Sequence, residues 1–403
     1  MDNRAILNLS EKQTQRIVWT LLSIFPIIGM TVDLVAPSLP AIASSLSIST
    51  TLAKNVITFY LLGYAFGNFF IGFLTDAWGR QKLIRISVLG FSLVSLLPVL
   101  SHRVDILFLS RFLQGLTMGA FSVLSRAIFA DILPTEKLTR LGTWIGTMWG
   151  LGPVLGPVIG GYLQFYFNWQ AGFIFFTVTS FIGFIPLWII VPETHFNRQR
   201  LDIKTIKTNL SQVISHRLFM ALVFLMGIAY SLIIIFNTSG PFLIQTALHY
   251  SPVFFGHVAL WLGLVFLVST FTCRHLLKKY SMEKMLSFAI IIGFIISMLA
   301  VILSFTFEKN IWFAGIFSAL MFFACGFIFP MSMGKGISLF RHITGTATAL
   351  MYLIQILMTS LVAFLVSFVR VENNTDIMWM YCVLLLCAIL VYCGMIRERK
   401  IKI

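Results

Sequence analysis

Apolar stretches of about 20 residues recur along this chain from Ile17 almost to its end, each long enough to cross a hydrocarbon core roughly 30 Å thick as a helix. Backbone N–H and C=O groups find no water in lipid. Runs this long and this apolar therefore read as helices, whose hydrogen bonds are internal, rather than as barrel strands. Twelve spans are predicted, at about 17–40, 52–74, 83–101, 105–130, 139–163, 170–191, 218–246, 253–275, 283–306, 310–334, 343–369 and 376–396. Of the 403 residues 58% are hydrophobic and only 11% charged, against roughly 25% charged in a soluble domain, which excludes a water-soluble fold. The first apolar run is too long for a signal peptide and has no small-residue cleavage site, so it is expected to be a retained first span.

The longest polar stretch, Pro192 to Arg217, falls between the sixth and seventh spans and contains Arg198, Arg200, Lys204, Lys207 and Arg217. It divides the chain into an N-terminal six-helix bundle (1–191), a basic, amphipathic linker on the membrane surface (192–217) and a C-terminal six-helix bundle (218–403). Placing the N-terminus in the cytoplasm puts 23 of the 29 Lys and Arg on the cytoplasmic side. Lys54, Arg103, Lys309 and Arg370 fall on the other side, and Arg111 and Arg126 lie inside the fourth span. That asymmetry predicts an even number of spans with both termini cytoplasmic. It also accounts for the net charge of +15 as an orientation signal, so no nucleic-acid partner is expected. The five cysteines, Cys273, Cys325, Cys382, Cys387 and Cys393, have neither metal-ligand nor disulfide spacing and read as small hydrophobes. Short basic turns after the second and eighth spans, around Asp76–Lys82 and Lys278–Lys284, hint at a duplicated half.

Of 14 acids, 13 fall in loops or at span ends, and Asp33 is the exception. An ionisable group inside a span is costly and points to function. The alternative is a residue at the outer mouth that reaches water, since Pro37 and Pro40 follow. Arg111 enters the membrane from the same side, and at 1.5 Å per residue the two lie at similar depth. They either face each other across a cavity or pair directly. A carboxylate poised between burial and a nearby guanidinium can take up and release a proton as its surroundings change. The plainer reading is an ion pair holding the first and fourth helices together. Arg126, near the cytoplasmic end of the fourth span, is expected to snorkel to the interface in a structural role. Tyr60, Tyr64, Asn68, Gln114, Asn237 and Gln245 are the candidate substrate contacts, sought on spans 1, 2, 4, 5, 7 and 8. The first three share one face of the second helix at four-residue spacing. Each serves equally well as an interhelical hydrogen bond or an interfacial anchor.

Three motifs give these residues a context. Gly72-Phe73-Leu74-Thr75-Asp76-Ala77-Trp78-Gly79-Arg80-Gln81-Lys82 lies between the second and third spans. Gly79 permits a tight turn, and Asp76 and Arg80 are charges able to lock and release helix ends, a conformational latch rather than a substrate site. Arg111-Phe112-Leu113-Gln114-Gly115, followed by Gly119, opens the fourth span. Gly150 to Gly161 in the fifth places Gly152, Gly156 and Gly160 on one face, with Pro153 and Pro157 as kinks. Together they resemble the loop signature, the helix 4 signature and the antiporter motif of the major facilitator superfamily. Asp33 to Pro40, Arg126-Ala127-Ile128-Phe129-Ala130-Asp131, Pro192-Glu193-Thr194, Ser239-Gly240-Pro241-Phe242 and Gly345-Thr346-Ala347 are similar to the bicyclomycin-resistance (Bcr/CflA) drug:proton antiporters. The resemblance covers nearly the whole chain. Gln170 after Trp169, where Arg is common, and Lys335 and His342 depart from it.

The resemblance implies an all-α membrane protein of twelve transmembrane helices in two six-helix pseudo-repeat bundles around a central cavity. It implies proton-coupled export of small amphiphilic molecules across a bacterial inner membrane by alternating access. Asp33 would be the proton site and Arg111, facing the cavity, its partner. Asp76, Arg80 and Asp131 would form an inner-side charge relay. Export of one endogenous metabolite such as a siderophore is the alternative, since the family spans many substrates. A membrane sensor on the same fold is disfavoured by the short tail from Arg397 to Ile403. The sequence contains no nucleophile–base pair, metal cluster or phosphate loop, so no enzyme, metal or cofactor is expected. The expected partners are a small-molecule substrate, protons and lipid, around a monomer.

Overall fold

The structure is a computed structural model and describes residues 9–196, 203–340 and 343–401. Arg198, Arg200 and His342 lie outside the described residues, as does the side chain of Asp76. The described chain is helical, with twelve long helices: α1 Glu11–Ser45, α2 Thr50–Trp78, α3 Arg80–Leu100, α4 Val104–Ile132, α5 Thr135–Tyr166, α6 Ala171–Ile190, α7 Arg217–Ala247, α8 Pro252–Leu276, α9 Met282–Ser304, α10 Ile311–Ser338, α11 Thr344–Ser367 and α12 Asn374–Ile401. Eleven are long and apolar enough to cross a membrane. The remaining one, α5, is 32 residues long and packs along α1 and α8. Ile174, Val178, Phe181, Ile185 and Ile189 of α6, and Trp261, Leu264, Val268 and Phe271 of α8, are exposed, apolar surface of the kind that lipid covers. The chain is a multi-pass membrane protein.

Local chemistry sets the helix ends. Ser49 accepts from Leu52 N at 3.3 Å to cap α2, Ser251 accepts from Phe254 N at 3.1 Å before Pro252 opens α8, and Asn310 accepts from Phe313 N at 3.1 Å at the start of α10. The first span, expected as one run, is broken. It comprises Glu11–Leu22, Phe25–Asp33, a tight 3₁₀ turn Ala36–Ser38 and Leu39–Ser45. Pro26, Pro37 and Pro40, which have no N–H to donate, stand at the start of the last three pieces. In α7, Ser239-Gly240-Pro241 precedes a wide π turn at Phe242–Ala247.

Two apolar cores mark two bundles. One is built almost wholly from α1–α6 and the other from α7–α12, with a few residues such as Ile234, Ile356 and Ala36 reaching across. A third cluster seats the short linker helix Ile203–Ile214 against α7 and α11 through Val213, Phe219, Val223 and Met351. The side of the molecule bearing this helix and the α2–α3 and α4–α5 turns is here the linker face.

Candidate functional site

A cavity of about 510 Å³ lies between the bundles and runs from mid-membrane toward the linker face. Phe25, Ile28, Gly29 and Val32 of α1, Tyr60, Leu61 and Tyr64 of α2, and Arg126 and Phe129 of α4 form one wall. Tyr230 of α7, Phe329 and Met333 of α10, and Thr348, Tyr352, Gln355 and Ile356 of α11 form the other, while Leu138 and Ile145 of α5 complete it. The wall therefore uses α10 and α11 and not the expected α8. The reason is steric: α8 lies flat on α5. A Cβ on Gly256 would fall 2.7 Å from Pro157 O, one on Gly161 2.5 Å from Pro252 O, and one on Gly263 3.3 Å from Pro153 O. Pro157 has no N–H to give Pro153 O, so that carbonyl is free to face α8.

Beyond the cavity's deep end the bundles are joined. Asn237 Nδ2 of α7 donates to Asp33 Oδ1 of α1 at 2.6 Å, with both side chains buried. Farther out, Gln245 Nε2 donates to Pro37 O at 2.9 Å, Ser360 Oγ of α11 to Thr58 O of α2 at 3.2 Å, and Lys54 Nζ to Val369 O at 2.7 Å. Lys54 is fully buried, with its ammonium 5.4 Å from the centre of the Phe242 ring, so it satisfies a carbonyl beyond the last turn of α11 while crossing between bundles. The molecule is thus closed on the face opposite the linker.

Asp33 and Arg111 make no ion pair. Their depths match, but their directions differ. Asp33 sits one helical turn beyond Gly29, continuing the cavity-lining stripe of α1 toward the second bundle. Arg111, expected to face the cavity, is wholly inside the first bundle. Its Nη2 donates to Thr31 O at 3.0 Å, its Nε to Val56 O at 3.2 Å and its Nη1 to Gln114 Oε1 at 2.7 Å, and its guanidinium lies 4.5 Å from the centre of the Tyr60 ring. Gln114 Nε2 passes the network on to Ser95 Oγ at 2.7 Å. Arg111 therefore ties α1, α2 and α4 together two residues before Asp33.

Among the other candidates, Tyr60 and Tyr64 line the cavity. Asn68, Gln114, Asn237 and Gln245 do not. Asn68 Nδ2 turns to Tyr64 O at 2.9 Å, beside Gly119 of α4, and the other three make the bonds already described. Arg126, read as a snorkelling residue, instead lines the cavity with its guanidinium 5.0 Å from the centre of the Tyr352 ring. Tyr352 and Gln355, three residues apart on α11, and Tyr230 on α7 are lining residues that sequence reasoning missed. Their only signal is polarity within an apolar span.

The glycine motif of α5 forms the back of this site. A Cβ on Gly152 would lie 2.1 Å from Gly29 C, one on Gly156 3.0 Å from Asp33 Cβ and one on Gly160 2.0 Å from Leu34 O. The three glycines are therefore the surface against which α1 is pressed on either side of Asp33.

At the linker face, Gly79 has φ 85°, a conformation open to glycine, and starts α3. Arg80 Nη1 is paired with Asp131 and also donates to Ala127 O at 2.5 Å, and Thr194 Oγ1 donates to Asp131 at 2.7 Å. Glu193 accepts from Arg80 N at 3.0 Å and Gln81 N at 3.2 Å, so it caps α3 from more than 100 residues away in sequence. Gly72, expected in the latch, has open space among the described residues where a Cβ would be. Burial pushes the Glu193 carboxyl up, but the N–H groups of His195, Arg80, Gln81 and Thr194 together hold it below the ordinary glutamate range. A lowered value stabilises the fold above the unfolded-state pKa, and that contribution is lost as pH falls through the folded-state value. Glu193→Ala is expected to cost about 1 kcal/mol at neutral pH, and the deficit against the native protein should shrink as the pH is brought down through the carboxylate range. Thermal unfolding in detergent across that range measures it.

The family model of the Major Facilitator Superfamily matches residues 21–363. Among curated relatives, the bicyclomycin resistance protein homolog of Haemophilus influenzae is 24% identical over 397 residues, covering 97% of this chain and 98% of that protein. Multidrug resistance protein MdtL of Shewanella sp. is 23% identical over 347 residues, 85% of this chain and 86% of its own. Among solved structures, a D-xylose-proton symporter superposes with a TM-score of 0.75 at 16% identity, covering 95% of this chain and 97% of that one. At that identity the likeness concerns the fold.

Proposed function

This chain belongs to the major facilitator superfamily, a family of transporters and not enzymes, and from that premise we propose that it exports small amphiphilic molecules across the bacterial inner membrane in exchange for protons. The observation that carries this reading is the Asp33–Asn237 hydrogen bond. It joins an acid in the first bundle to a neutral amide in the second, at the closed end of the cavity. An ionised carboxylate accepts such a bond more strongly than a neutral acid does. Gaining or losing a proton at Asp33 therefore changes the strength of a contact that opening on that face must break. Arg111, by holding Thr31 O, fixes the turn of α1 that presents Asp33.

In this reading the cavity is the substrate site and the bundles, 1–191 and 218–403, rock about it with 192–217 as their connection. The latch of Arg80, Asp131 and Glu193 holds the linker-side helix ends of the first bundle as one body. The Lys and Arg asymmetry supports placing the linker face and both termini in the cytoplasm, so that the cavity is filled from inside. The drug-resistance names of the relatives support efflux over uptake.

The test is transport by the purified protein in liposomes. A fluorescent amphiphile should accumulate against its own gradient when a pH gradient is imposed, and a protonophore should abolish that accumulation. Accumulation that persists after the pH gradient is collapsed would remove proton coupling.

A further inference from the structure

We propose that Arg126 is the anion-binding residue of the cavity and that the molecules it takes up are amphiphilic monoanions, an aromatic or aliphatic body carrying one carboxylate. Calling them substrates rests on the export reading. That the cavity binds them does not.

The buried cations elsewhere in the membrane are used up within the protein. Arg111 has three hydrogen-bond acceptors and a ring, Lys54 has a carbonyl and a ring, and at the linker face Arg80 has Asp131 and Ala127 O. Arg126 has a ring face and, among the described residues, neither a hydrogen bond nor an ion pair. The nearby Asp131 is committed to Arg80 and Thr194.

Geometry makes this guanidinium available rather than merely exposed. The Arg126 guanidinium carbon lies 5.0 Å from the centre of the Tyr352 ring, a contact that helps hold the group in place and takes up none of the N–H donors along its edge. A carboxylate fits such an edge through two parallel hydrogen bonds. Apart from Gln355 and Thr348 the rest of the wall is apolar or aromatic, and among the described residues no acid lines it. Gln355 and Thr348 add neutral hydrogen-bonding groups on α11. A cavity of about 510 Å³ holds a drug-sized molecule, its anionic end toward Arg126 near the linker face and its body between Phe25, Phe129, Tyr230 and Phe329.

The experiment is equilibrium binding of a matched fluorescent pair, pyrenebutyrate and its neutral amide, to the purified protein in nanodiscs. The native protein should bind the acid about tenfold or more tightly than the amide, the range of a charge-assisted hydrogen bond. In Arg126→Gln that preference should vanish, the acid-to-amide ratio falling to about one, with thermal unfolding of the variant in nanodiscs reporting that it is folded. Arg126→Lys should keep part of the preference, since it retains the charge but not the fork. Equal binding of acid and amide by the native protein, which needs no variant, overturns the proposal, as does an unchanged ratio in Arg126→Gln. Acid-selective binding with no gradient-driven movement in liposomes would support this site and count against the export reading instead.

Discussion

If Asp33 is the proton site, Asp33→Asn is expected to abolish gradient-driven accumulation, bringing it to the level of protein-free liposomes, while binding of the neutral amide in the cavity is retained. The substitution is close to isosteric. An asparagine still offers an oxygen to Asn237 Nδ2, so the contact between α1 and α7 persists in its neutral, weaker form. What is lost is the ability to differ between the two sides of the membrane: the side chain no longer binds a proton on one side and releases it on the other. Unequal affinity for two conformations is what allows a ligand, here a proton, to shift their balance. Without that difference the pH gradient does no work on the protein. Exchange of labelled for unlabelled substrate needs no net proton movement and should continue. Asn237→Ala provides the contrast. It leaves the acid titratable and removes only the bond, a loss of about 1.5–3 kcal/mol from the closed state, so driven transport should persist with altered kinetics. The measurements are pH-driven uptake and zero-gradient exchange in the same liposomes. Full accumulation by Asp33→Asn would place the proton site elsewhere.

Why the sequence yields the depth of these residues but not their partners follows from what each pattern encodes. Hydropathy and charge asymmetry report position along the membrane normal. They place the eighth helix at 253–275 against the observed Pro252–Leu276, and they put Asp33 and Arg111 at one level. Rotation about a helix axis is set by packing, and for α4 packing is dictated by glycines whose neighbours lie on another helix. Gly63 and Gly67 of α2 close on Phe112 O and Leu116 O of α4, while Gly115 and Gly119 of α4 close on Tyr60 O and Tyr64 O of α2. That mutual fit turns Arg111 inward to Thr31 O and Val56 O, and leaves Arg126, fifteen residues on, facing the cavity. The α3 cap by Glu193 is opaque for a similar reason. A cap contributed by the next residue is visible in a sequence, but one contributed after three further helices becomes visible only when the chain is folded.

The glycines of α5 are expected to divide into two sharply different classes when each is replaced by alanine. In a helix interior alanine is favoured over glycine by about 1 kcal/mol, so where space is open the change should be neutral or mildly stabilising. Gly150 of α5, whose nearest neighbour is Leu267 Cδ2 at 3.8 Å, is such a position, and Gly315 of α10, with nothing near its missing Cβ among the described residues, provides a reference outside α5. At Gly152 and Gly160 the added carbon would fall 2.1 Å and 2.0 Å from the backbone of α1. Backbone cannot rotate aside, so the two helices must separate. Overpacking of this kind costs about 1–3 kcal/mol or more, which outweighs the propensity gain. Gly152→Ala and Gly160→Ala should therefore lower the thermal midpoint in detergent and lose driven transport together, since Asp33 lies on the stretch of α1 that moves. Gly156→Ala tests the link between packing and coupling most directly. Its Cβ would lie 3.0 Å from Asp33 Cβ, a contact a small shift can relieve, so stability should change little while the displaced carboxyl impairs pH-driven uptake. Gly152→Ala and Gly160→Ala variants as stable and as active as Gly315→Ala would mean that α1 and α5 stand apart in the membrane. Close contact with the glycine face would then not be what positions the acid.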